Sequence, residues 1–161
     1  MDTKYYSSKQ ESTISNYLGW TPICGSGAVA CKPGDIQSDS WLGECKTHTE
    51  RKDKIVFYQS HWSKIRSEAY SKFKKPVLFV DNGTQNENYT WCIIPKQAMV
   101  YGKEIPFMFS VKTNISFDYK DLITKTLMYG DLDSVWFSID NFVCDVALMH
   151  ISSFKKWFGE L

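Results

Sequence analysis

The segment covering residues 60–95 constrains the fold more than any other part of the sequence. It begins with SHWSKIRSEAYSKF, in which apolar side chains recur at helical spacing (Trp62, Ile65, Ala69 and Phe73). This spacing predicts an amphipathic helix. The nearly continuous apolar run PVLFV follows, and after an Asn-Gly pair the chain resumes as NYTWCIIP. A buried strand and a hairpin are therefore expected, and a helix that leads directly into a buried strand is typical of an α/β protein.

Weaker patterns on both sides extend this core. SKQESTISNYL predicts a first helix that ends before Gly19, while the residues from Trp41 to Lys46 and KIVFYQ predict two short strands. SVWFSI and FVCDVALMHI predict further strands, and SSFKKWFGEL predicts a terminal helix. We expect one α/β domain with a central mixed sheet flanked by helices. Its core is expected over about residues 7–100, with a C-terminal elaboration over about 101–161.

Composition excludes several classes of protein. A net charge of +1 with 23% charged residues excludes a highly basic packaging protein and an acidic disordered chain. The N-terminus is polar and no long apolar run is present, so we expect an intracellular, cytoplasmic protein with no membrane partner. Charge is nevertheless uneven. Residues 46–75 contain nine Lys or Arg and three Asp or Glu, a local balance of +6, which leaves −5 for the rest. Such asymmetry is typical of a surface that binds a phosphate backbone.

The tripeptide Glu-Cys-Lys at residues 44–46 is the main candidate for chemistry. Side chains alternate along a strand, so Glu44 and Lys46 are expected on one face. Asp35 lies nine residues upstream, which is enough chain to return it beside Glu44. Two carboxylates suit Mg²⁺, which polarises a scissile phosphate and lowers the pKa of bound water, while a lysine orients or deprotonates that water. Two alternatives stay open. Glu44 and Lys46 could form only a surface salt bridge worth under about 1 kcal/mol. If they do form a metal site, Asp39 could be its first ligand in place of Asp35.

Four motifs in order carry a family resemblance. SKQE in the first helix, GSGA in the following loop, and then GDI and GECKT resemble the phage-type Holliday-junction-resolvase branch of the PD-(D/E)XK, or restriction-endonuclease-like, nucleases. The resemblance covers roughly residues 7–80 and implies a restriction-endonuclease-like core. It also implies DNA hydrolysis with Mg²⁺, for which Mn²⁺ is expected to substitute. In this chain the aspartate follows glycine, where the family has proline.

The resemblance also implies roles for individual residues. Asp35, Glu44 and the backbone carbonyl of Cys45 are expected to bind metal, and Lys46 to activate water. Glu11 is expected to complete the acidic cluster or to contact a second metal. Ser26 is expected at the DNA backbone near the scissile phosphate. Four basic residues are further candidates for DNA contact: Lys32, Lys54, Lys64 and Arg66. Gln59, after the second strand, is a lower-ranking candidate for contact with substrate or water.

The implied substrate is branched DNA such as a Holliday junction, in a bacterial or phage-infected cell. Because such a junction presents paired scissile sites, a two-fold homodimer is expected. Three alternatives stay open. The first is a restriction, nicking or recombination nuclease of the same fold that acts on ordinary duplex. The second is a non-catalytic DNA-binding module, and the third is a protein-interaction domain whose acidic last third recruits a basic partner.

Overall fold

A computed structural model describes residues 3–23, 33–110 and 113–159, with the backbone alone for residues 107–110. Ser26 and Lys32, two of the residues expected at DNA, lie outside these ranges. The described residues form four α-helices: α1 (Thr3–Leu18), α2 (Gln59–Ser71), α3 (Tyr119–Tyr129) and α4 (Ile151–Phe158). Two single turns of 3₁₀ helix cover Glu87–Tyr89 and Lys96–Ala98.

Ten strands are present in the described ranges. They are β1 (Thr21–Pro22), β2 (Ile36–Gln37), β3 (Trp41–Lys46), β4 (Lys54–Phe57), β5 (Lys75–Val80), β6 (Trp91–Pro95), β7 (Lys103–Ser110), β8 (Ile115–Asp118), β9 (Val135–Phe142) and β10 (Cys144–His150). Eight of them form one sheet in the order β1-β2-β3-β5-β6-β10-β9-β7, whereas β4 and β8 form a separate antiparallel pair. Within the large sheet β3 is parallel to β5 and β7 is parallel to β9.

The structure confirms the predicted α/β fold with a central mixed sheet flanked by helices. The last third of the chain extends this sheet, because β10 pairs with β6 and β9 pairs with β10. Among the residues that the structure describes, no helix is both long enough and apolar enough to cross a membrane.

Two separate apolar clusters cover the two faces of the large sheet. On one face Leu42 and Leu78 pack with α2, α3 and the β4–β8 pair. On the other face Cys45 and Phe79 pack with α1 and α4. The alternation of side chains along β3 and β5 explains this division. Glu44 and Lys46 follow Leu42 at even spacing, so they belong to the face that α2 covers.

Several predicted boundaries differ from the observed ones. Helix α1 begins at Thr3, several residues before the expected start, and it ends before Gly19, whose φ of 72° suits glycine. Helix α2 buries Trp62, Ile65 and Ala69 as predicted. The prediction that Phe73 belongs to the same apolar face is wrong, because the helix ends at Ser71 and Phe73 is 98% exposed.

Gly43 of β3 faces the apolar cluster that packs with α1 and α4. A Cβ atom added there would lie 2.9 Å from Cε2 of Phe79 and 3.1 Å from Cγ1 of Ile36. We expect Gly43→Ala to lower the free energy of unfolding by about 1–3 kcal/mol, because these ring and branched side chains have to move. Urea unfolding measures the change. A lower midpoint with an unchanged m value is expected, and an unchanged midpoint would show that the two neighbours yield without cost.

Candidate active site

Strand β3 places Glu44 and Lys46 together. The Glu44 side chain is 6% exposed, and its Oε1 lies 3.3 Å from Nζ of Lys46. The predicted sharing of one strand face is therefore confirmed. A carboxylate this deeply buried needs a cation or hydrogen-bond donors to offset its lost hydration, and Lys46 provides one such cation.

A second lysine reaches the same carboxylate from α2. Nζ of Lys64 lies 3.8 Å from Oε1 of Glu44 and 3.8 Å from Oε1 of Glu68, four residues along the helix. Oε2 of Glu68 in turn accepts a hydrogen bond of 2.9 Å from the backbone N–H of Gly34. Helix α2 is thereby joined both to β3 and to the segment that carries Asp35.

Asp35 is returned beside β3 by the short β2–β3 hairpin. Its backbone N–H donates to the carbonyl of Gly43 at 2.8 Å, and its Oδ2 accepts a 2.8 Å bond from the N–H of Cys45. A strand residue directs its N–H and its C=O to the same neighbour, so the Cys45 carbonyl also lies on the Asp35 side of β3. Asp35 and the expected main-chain ligand are thus on one edge.

The carboxylates of this cluster repel one another. Burial raises the pKa of Asp35 from 3.8 to about 7, with Glu44 adding to the effect, whereas the Cys45 N–H and Lys46 oppose it. The pKa of Glu11 is also raised, first by burial and then by Glu44, against a lowering influence of Lys46. Residues from α1, from the segment before β2 and from β3 therefore form one electrostatic unit.

The donor chemistry of this unit fits a hard divalent cation. Carboxylate and carbonyl oxygens are the ligands that Mg²⁺ takes in proteins, and a cation would relieve the repulsion that raises the pKa of Asp35. In the described ranges, however, no three His, Cys, Asp or Glu side chains converge closely enough to hold a metal ion. The fit is therefore one of donor chemistry and charge.

A buried polar network behind Lys46 was missed at the level of sequence. Asp81 is fully buried after β5, and its Oδ1 accepts bonds from the Thr47 hydroxyl at 2.6 Å and the Gly83 N–H at 2.7 Å. Gln10 of α1 donates to the Lys46 carbonyl at 2.6 Å. One signal for this network was present in the sequence. An aspartate directly follows the apolar run PVLFV, so it is expected inside the core or at its edge. The network holds the end of β3 in place.

The remaining predicted residues lie apart from the acidic cluster or have structural roles. Asp39 is exposed in the turn between β2 and β3, at the far end of β3 from Glu44. Gln59 is the first residue of α2, and its backbone N–H donates to the Asn114 side chain at 3.1 Å. Lys54 is exposed on β4, opposite Asp118 of the small sheet.

Two further side chains of α2 have surroundings that the sequence did not predict. The guanidinium of Arg66, expected at DNA, lies 5.6 Å from the ring centre of Tyr70. His61, for which no role was expected, interacts electrostatically with both lysines of the site. Its pKa is lowered by burial first and then by Lys46 and Lys64. His61 is therefore a neutral neighbour of the cluster at pH 7.

Comparisons with known proteins identify no relative. Neither a family model, nor a curated protein, nor a solved structure matches this chain. The function must therefore be inferred from the residues of the chain and from their arrangement.

Proposed function

We infer that the protein is a metal-dependent DNA endonuclease with a restriction-endonuclease-like core, and that it acts on branched DNA such as a Holliday junction. One observation carries this proposal. Acidic side chains from three separate parts of the chain (Glu11, Asp35 and Glu44) repel one another beside Lys46, whose Nζ is 3.3 Å from the most buried of them. Burying such a cluster is costly, and a structural role alone would be met by apolar residues.

The proposed reaction is hydrolysis of a phosphodiester. The oxygen of a water molecule forms a bond to phosphorus, one ester P–O bond breaks, and the products are a phosphate monoester and a hydroxyl group. Asp35, Glu44 and the Cys45 carbonyl would hold Mg²⁺ or Mn²⁺, with Glu11 beside them. When bound, the metal supplies charge stabilisation at the phosphate and a more acidic water.

Lys46 has the central role among the remaining groups. Its side chain is 37% exposed, so the ammonium group can reach both a bound phosphate and the buried carboxylate. It orients the attacking water and offsets the negative charge that develops on the phosphate oxygens. The Thr47 to Asp81 network fixes the strand end from which Lys46 projects, which keeps the ammonium group in place.

The basic segment around α2 supports DNA as the substrate. Lys64 stands between the carboxylate cluster and solvent, with 58% of its side chain exposed, and Lys72 is exposed at the end of the helix. Phosphate contacts by such residues supply affinity without sequence preference. A homodimer would present two such sites to the two opposed strands of a four-way junction.

Cleavage assays test the proposal directly. A labelled four-way junction and a linear duplex of the same sequence are incubated with Mg²⁺ or with EDTA. We expect metal-dependent cleavage of the junction, lost in Glu44→Ala, Lys46→Ala and Asp35→Ala. Asp39→Ala is the matched control, because it removes an acidic residue from the same hairpin at the opposite end of β3, and it should cleave as the wild type does.

Three other results would lead to different conclusions. Equal cleavage of the duplex would replace the junction substrate with ordinary DNA. Binding without cleavage under Mg²⁺ or Mn²⁺ would indicate a non-catalytic DNA-binding module. A single monomeric mass in solution, with and without the junction, would contradict the homodimer.

A further inference from the structure

Phe73 combines two costly features. Its side chain is 98% exposed, and its φ of 59° lies in the left-handed region. It occupies the position just after the end of α2 where helices commonly place glycine, because a Cβ atom is strained there. Glycine would remove the strain and the exposed ring together. Strain and exposure at one residue point to a role outside folding.

The turn that carries Phe73 is rigid. The backbone N–H groups of Lys72 and Lys74 donate to the carbonyl of Ala69 at 3.0 and 2.9 Å, and that of Phe73 donates to Tyr70 at 3.1 Å. Nζ of Lys74 also donates to Oε1 of Gln37 at 2.8 Å. The aromatic ring therefore projects from a fixed support, so little order has to be imposed on the backbone when a partner binds.

Helix α2 connects this ring to the acidic cluster. Lys64, Glu68 and Lys72 recur every four residues, so they follow one side of the helix from Glu44 to the turn. Phe73 lies nine positions after Lys64, which corresponds to about 13 Å of helix rise. This distance equals roughly four base-pair steps of DNA.

Resting on the proposed nuclease function, we propose that Phe73 stacks on the exposed base at the branch point of the DNA substrate. The partner must accept an aromatic ring and also the exposed Lys72 beside it, and DNA offers stacked bases beside phosphates. In a continuous duplex each base face is covered, so insertion costs a few kcal/mol of unstacking. At a branch the terminal base pair is already open on one face. Phe73 thus favours branched DNA over duplex and sets the cut about four or fewer nucleotides from the branch.

Phe73→Gly tests this assignment. Binding to a four-way junction and to the matched linear duplex is measured in EDTA, where no cleavage occurs. We expect the variant to lose about tenfold or more in junction affinity, in line with the loss of one base–aromatic stack, and to bind duplex as the wild type does. Its melting temperature should rise because the left-handed strain is removed, so lost binding cannot be ascribed to unfolding. Met128→Ala, which trims another exposed apolar side chain, is the control and should leave binding unchanged.

A fluorescent base analogue such as 2-aminopurine at the branch gives a second readout. Wild-type protein should quench its fluorescence and Phe73→Gly should not. Equal quenching and equal junction affinity for both proteins would overturn the role of Phe73, even if the wild type cleaves DNA. Loss of self-association in Phe73→Gly with junction binding unchanged would also overturn it, because the ring would then serve a second copy of the chain. Junction-specific binding that depends on Phe73 in a protein that never cleaves would support the stack and contradict the nuclease.

Discussion

Asp35→Asn is expected to be more stable than the wild type at pH 8 and unable to cleave DNA. The pKa of Asp35 is raised from 3.8 to about 7 in the folded protein, chiefly by burial and by Glu44. The folded state therefore disfavours the ionised carboxylate, and the wild type loses stability as the pH rises from about 4 to about 7. Asparagine does not ionise, and its side-chain oxygen can still accept the bond from the Cys45 N–H. A gain of about 2–4 kcal/mol in the free energy of unfolding is expected at pH 8.

Urea unfolding in EDTA at several pH values measures this gain. The difference between variant and wild type should vanish below about pH 4, where the carboxyl is protonated in both the folded and the unfolded states. Adding Mg²⁺ should stabilise the wild type at pH 8 more than Asp35→Asn, since the variant lacks one of the two carboxylates that would hold the cation. A variant that is less stable than the wild type at pH 8 would mean that Asp35 is held ionised by groups other than those described.

Lys46→Gln and Lys64→Gln are expected to differ sharply in cleavage, although both lysines contact Oε1 of Glu44. Lys46 projects from the rigid end of β3, whereas Lys64 is more exposed and shared with Glu68. Loss of Lys46 should lower cleavage by about a hundredfold to a thousandfold, as for other preorganised charges at a reacting centre. Loss of Lys64 should lower it by about tenfold or less, because an exposed ion pair contributes little.

Metal binding should change in the opposite direction from activity in Lys46→Gln. The Lys46 ammonium opposes a second cation at Glu44, so its removal should tighten Mg²⁺ binding, seen as a larger rise in melting temperature at a given Mg²⁺ concentration. Glu44→Gln is the control and should lose both cleavage and the Mg²⁺ effect. Equal losses of cleavage in the two lysine variants would contradict a special role for Lys46.

Local patterns in the sequence were sufficient for the elements around the site. The observed bounds of β3 match the expected ones, and the alternation of a strand alone places Glu44 and Lys46 on one face. The return of Asp35 beside β3 was equally predictable, because a hairpin brings together residues that are near in sequence. These features depend on backbone geometry that extends over a few residues.

Other features depended on contacts between distant parts of the chain. Strand β4 was expected from its composition. Its pairing with β8 in a second sheet could not be predicted, because several other strands of the chain were equally possible partners. The approach of Lys64 to Glu44 required α2 to pack at one rotation over β3. Hydrophobic spacing predicted that Phe73 lies in the core. In the structure Phe73 itself has a left-handed backbone conformation, and its side chain points into solvent. Periodicity determines which face of an element is apolar, whereas only the folded chain determines what lies against that face and where the element ends.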